Sequence, residues 1–96
     1  VDVIRVKSLN QEDLISRELV LVKIKCTPEQ LADVKNITDV TGAKIIDITP
    51  TTATLEISDW AAKLQGFEAL IKPYGILEMV RTGVVAIQRG EGDIRK

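Results

Sequence analysis

The sequence predicts an α+β fold in which a four-stranded antiparallel sheet carries two helices on one face. Two segments with helical periodicity alternate with segments of period-two apolar pattern, in the order strand, helix, strand, strand, helix, strand. The two strand–helix–strand units, roughly residues 19–49 and 53–82, have nearly equal length. Right-handed crossovers then place both helices on the same face of one sheet.

The first strong strand is predicted over residues 17–26. One face of this strand is apolar and consists of Val20, Val22, Ile24 and Cys26. Leu19 and Leu21 lie on the opposite face, and neither predicted helix covers them. Either a partner surface covers this pair, which is the interpretation we favour, or the two leucines are scattered apolar residues of the surface.

The first helix is predicted to begin at Thr27, where Pro28 suits the first helical position and Gln30 completes a capping box. Gly42 supplies the left-handed residue that ends the helix. Spacings of three and four produce one apolar stripe, formed by Leu31, Val34, Ile37 and Thr41.

The second half of the chain repeats this plan. Residues 43–49 and 53–58 predict a hairpin around Pro50, with Ala53, Leu55 and Ile57 inward. Ser58 or Asp59 is expected to cap the second helix, which ends near Lys72 because Pro73 follows. Its apolar face is predicted to contain Trp60, Leu64, Phe67, Leu70 and Ile71, with Trp60 and Phe67 as core anchors. Residues 76–81 are the last clear strand, and residues 83–88 extend or bend it. This order predicts a ferredoxin-like βαββαβ sandwich.

Both ends of the chain are interpreted separately. Residues 1–6 alternate apolar and polar side chains and predict a strand that has no partner nearby, which suggests the last strand of an upstream domain. Residues 7–16 are a polar connector. Gly90-Glu91-Gly92 and the residues after it predict a mobile tail. The chain opens at Val1 without Met, so we expect a fragment or a processed form.

Composition excludes several classes of function. Thirteen basic and fourteen acidic residues give a net charge of -1, so the chain has no bulk attraction for nucleic acid or anionic lipid. The predicted inner strands carry no aromatic residue on which RNA bases would stack. No apolar run approaches the 18 or more residues that span a membrane, and no signal peptide is visible. The single cysteine, Cys26, favours a cytoplasmic location.

The residues offer no catalytic set. Histidine is absent, and Cys26 lies in an apolar run that would raise its pKa. Glu29 and Asp33 are expected on a solvated helix face, and Asp47 and Glu56 could face each other across an open hairpin. The Gly90 segment lacks the strand-to-helix context of a phosphate-binding loop. We therefore predict a non-catalytic domain with no catalytic, cofactor-binding or metal-binding residue and no cofactor of its own.

An ordered set of segments resembles a known family. The set comprises Val1-Asp2-Val3-Ile4-Arg5-Val6, Arg17-Glu18-Leu19, Leu21-Val22-Lys23-Ile24, Ala43-Lys44-Ile45-Ile46-Asp47-Ile48-Thr49-Pro50, Lys63-Leu64 with Phe67, Ile76-Leu77-Glu78, Arg81-Thr82-Gly83-Val84-Val85-Ala86 and Arg89-Gly90. Over about residues 1–90 these segments resemble the small regulatory subunit of acetolactate synthase. In that family an N-terminal ACT domain precedes a C-terminal domain of related, ACT-like plan.

The resemblance implies a division of the chain. Residues 1–10 would be the trailing strand of the ACT domain, residues 11–16 a connector, residues 17–88 the C-terminal regulatory domain and residues 89–96 a flexible tail. It also implies a regulatory, non-enzymatic role in branched-chain amino acid biosynthesis, with the catalytic large subunit as partner and a homodimer as the expected state. The large subunit would hold thiamine diphosphate, magnesium and flavin. A valine-type effector would bind the missing ACT domain, so no effector-binding residue is assigned to this chain.

Another class of function also fits the fold. A free-standing small-molecule-sensing or protein-interaction domain would have the same plan. A metal-responsive sensor, however, needs histidine or several cysteine ligands, and this chain has one cysteine. An acylphosphatase-type enzyme would need an arginine-containing phosphate loop after the first strand, where this chain has Thr27-Pro28-Glu29.

Overall fold

The structure is a computed structural model and describes residues 14–90. The predicted upstream strand and the end of the predicted tail lie outside the described residues. The elements are β1 (Leu14–Lys25), a 3-10 turn (Pro28–Gln30), α1 (Leu31–Thr41), β2 (Lys44–Ile48), β3 (Thr52–Asp59), α2 (Ala61–Ile71), a second 3-10 turn (Lys72–Tyr74), β4 (Ile76–Arg81) and β5 (Val85–Gln88).

The sheet has the predicted ferredoxin-like order. Strands β2, β3, β1 and β4 lie side by side in that order, and all the pairings are antiparallel. The prediction of four strands is incomplete, because β5 forms a fifth strand that pairs with the first residues of β1. Strand β1 begins at Leu14, so the last three residues of the predicted connector belong to the strand.

The helices and the inner face of the sheet enclose one core. Its buried residues are Val20, Val22, Ile24, Cys26, Val34, Ala43, Ala53, Leu55, Ile57, Leu64, Phe67 and Ile71. The inward faces predicted for β1 and β3 are confirmed by this set. Even-numbered residues of β1 therefore point to the helices, and odd-numbered residues point away from them.

Local signals fix the limits of α1. The Thr27 N–H donates to Gln30 Oε1 at 3.0 Å, which is one half of the predicted capping box. Gly42 has φ of +81° and its N–H donates to the Thr38 carbonyl, so the predicted stop is confirmed. Val34 and Thr38 are the buried residues of α1, and the Thr38 hydroxyl donates to the Lys35 carbonyl at 2.7 Å.

Three details predicted for α2 are wrong. Trp60 is 46% exposed and Leu70 is 47% exposed, so neither anchors the core. Trp60 itself is the N-cap residue, and no side chain caps the helix. The Asp59 carboxylate instead accepts a hydrogen bond from the Trp60 N–H at 2.9 Å. The predicted end of α2 before Pro73 is confirmed.

Candidate interaction surface

The outer face of the sheet points away from both helices, and no helix among residues 14–90 covers it. On this face Leu21 of β1 lies directly opposite Val80 of β4. Leu21 is 37% exposed and Val80 is 57% exposed. The structure thus places Leu19 and Leu21 on the uncovered face that the sequence predicted. It adds Val80, which alternation does not indicate, because the apolar residues of β4 occur in consecutive pairs.

Strand pairing fixes the position of these apolar residues. Strand β1 is central, so its outer face is flanked by β3 on one side and β4 on the other. Leu19 and Thr82 are joined by two hydrogen bonds, from the Thr82 N–H to the Leu19 carbonyl and from the Leu19 N–H to the Thr82 hydroxyl, each 3.1 Å long. These bonds hold the end of β4 against β1 at the point where the apolar part of the outer face lies.

Charged residues of both signs surround the apolar part. Lys23 of β1 lies opposite Glu78 of β4, and Lys44 of β2 lies opposite Glu56 of β3. Opposite charges at directly facing positions stabilise a sheet modestly. Because the two signs alternate, the outer face has no electrostatic potential of a single sign. The face therefore combines an apolar centre with a mixed-charge border, which is the composition of a protein-binding surface.

Arg81 links three elements on the inner side of the sheet. Its guanidinium contacts Glu18 of β1, with Nη1 3.2 Å from Oε1, and it also forms an ion pair with Glu68 of α2. Glu18 is largely buried, so its carboxylate depends on this partner for compensation. These contacts hold the C-terminal part of α2 against the central strand, so the role of Arg81 is structural.

Cys26 lies in the core and does not form a nucleophilic site. The thiol is buried, and its nearest polar partner is the Thr27 carbonyl at 3.5 Å. Burial raises the pKa of the Cys26 thiol above its ordinary value. A thiol that keeps its proton is a poor nucleophile and metal ligand, so the sequence-based interpretation as a packed side chain agrees with the structure.

The carboxylates that the sequence analysis singled out do not form a catalytic pair in the structure. Glu29 and Asp33 are both exposed, as expected of a solvated helix face. The expectation that Asp47 faces Glu56 is wrong, because a register shift in β2 pairs Asp47 with Thr54. Gly90 adopts a φ of +70° just after β5, and the rest of the Gly90-Glu91-Gly92 segment lies outside the described residues.

The described part of the chain has neither a metal-binding cluster nor a helix suited to a membrane. Between residues 14 and 90, no group of three or more acidic, histidine or cysteine side chains is placed to hold a metal ion. In the same range, no helix has both the length and the apolar character needed to cross a membrane.

Comparison with known proteins identifies the relatives of this fold. Residues 17–90 match the family described as the small subunit of acetolactate synthase. The acetolactate synthase small subunit of Buchnera aphidicola is 42% identical over 91 residues, which are 94% of this chain and 58% of that protein. The acetolactate synthase isozyme 3 small subunit of Escherichia coli is 38% identical over 96 residues, covering 99% of this chain and 59% of that protein.

A solved structure agrees with the sequence comparisons. The crystal structure of the acetolactate synthase small subunit from Thermotoga maritima superposes with a TM-score of 0.77 at 28% identity, covering 85% of this chain and 50% of that one. This chain thus spans a little over half the length of the two relatives described above. The family match extends over nearly all of β1 to β5, and the resemblance noted in the sequence is confirmed. The chain belongs to the acetolactate synthase small subunit family.

Proposed function

We propose that this chain is the C-terminal domain of a non-catalytic regulatory subunit of acetolactate synthase. In this role it supports activation of the catalytic large subunit and feedback inhibition by branched-chain amino acids. The observation that carries the proposal is the family match over residues 17–90, which coincides with one folded unit bearing an uncovered outer face. A subunit that acts through contact needs such a surface, and Leu21 and Val80 lie at its apolar centre.

We propose that other parts of the enzyme bind the cofactors and the effector. The thiamine diphosphate, magnesium and flavin of the reaction belong to the large subunit, and this domain holds none of them. The valine-type effector binds an ACT domain that precedes this domain in the subunit. We further propose that the chain forms a homodimer and works in the cytoplasm.

Reconstitution of the enzyme tests this role. The large subunit is assayed for acetolactate formation alone, with a small subunit that carries both halves, and with the same small subunit lacking residues 17–96. We expect the deletion to weaken activation, inhibition by valine, or both. The deleted subunit must still bind valine, which shows that its remaining half is folded. Activation and inhibition that are both unchanged by the deletion would contradict the proposed function.

A further inference from the structure

We draw no further inference here: the strongest candidate, the exposed apolar face of α2 on which Leu70 lies beside the small residues Ala62, Gly66 and Ala69, carries none, because nothing in the structure shows what covers it.

Discussion

Leu55 and Thr54 are adjacent in β3 but point to opposite sides of the sheet. Leu55 is fully buried in the core, whereas Thr54 lies on the outer face, opposite Lys23. Leu55→Ala should destabilise the domain by about 2–5 kcal/mol, since it removes packed methyl groups and leaves a cavity. Thr54→Ala should change the free energy of unfolding by less than about 1 kcal/mol. Urea denaturation measures both, and similar losses would contradict the observed alternation.

Cys26 and Tyr74 are expected to make the free energy of unfolding fall at alkaline pH. Burial raises the pKa of the Cys26 thiol above its ordinary value. Burial raises the pKa of Tyr74 as well, with smaller contributions from Asp33 and Cys26. Above the unfolded-state pKa values, the unfolded chain loses these protons while the folded chain keeps them. The free energy of unfolding should therefore be constant with respect to these two groups below about pH 8 and should fall as pH rises through 9 to 10.

The contribution of the thiol can be isolated with Cys26→Ala. This variant is expected to start from a lower stability at pH 7 and to lose less stability between about pH 8 and 10 than the wild type. Urea denaturation across that pH range provides the comparison. A wild type and a variant whose stabilities fall by the same amount would show that Cys26 is not the group responsible.

Sequence patterns predict burial well where the local backbone is regular. The inward residues of β1 and β3 follow simple alternation and are confirmed. The burial predicted for Trp60 is wrong. Trp60 has the right spacing from Leu64, but its backbone is extended, with φ −80° and ψ 163°, so it lies outside the helix and does not share its buried face. Around the axis of α2, Leu70 lies about 90° from the centre of the face that Leu64, Phe67 and Ile71 bury, so its side chain is exposed.

At the scale of elements, two glycines of the helical segments should respond oppositely to alanine. A Cβ at Gly66, inside α2, would meet no atom within 4 Å. Gly66→Ala should stabilise the domain by about 0.5–1 kcal/mol, because alanine restricts the unfolded chain and favours helix. Gly42 ends α1 with φ of +81°, so Gly42→Ala should destabilise by about 1–2 kcal/mol. Thermal or urea unfolding tests both, and a gain in stability at Gly42 would contradict the left-handed end of α1.

The start of β1 and its partner β5 show why some elements are harder to predict than others. The sequence predicts that residues 83–88 extend or bend the last strand. In the structure residues 85–88 form a separate strand, β5, after Gly83, which has φ of +89°. The sequence does not predict the start of β1 at Leu14, because Leu14-Ile15-Ser16 shows no alternation on its own. Its strand conformation comes from pairing with β5, a contact between residues about 70 positions apart that local patterns do not encode.

At the scale of the whole molecule, the fold could be predicted from the sequence, and the family from the resemblance. Two units of similar length and right-handed crossovers are sufficient to define the ferredoxin-like sheet. The candidate surface was only partly predictable. Leu19 and Leu21 follow from alternation in one strand, whereas Val80, Val85 and Ile87 join them through the register of three strands.

The distribution of polar groups on this molecule also bears on effector binding. A free amino acid carries an ammonium and a carboxylate, and burying both requires fixed partners for each charge. The outer face offers an apolar centre and charges that lie opposite one another across the strands, such as Lys23 and Glu78. Such a surface suits contact with another protein surface better than it suits the enclosure of a zwitterion.

We therefore expect no saturable binding of valine to the 96-residue chain alone. Titration calorimetry with valine up to about 10 mM tests this, a range that includes dissociation constants well above the millimolar level. The control is a small subunit that carries both halves, in which binding should be readily detected. Deleting residues 17–96 from that control should leave its valine affinity within a few-fold, because this domain contributes no group to the site. Saturable binding by the isolated chain would place the effector site in this domain and contradict its assignment to the upstream half.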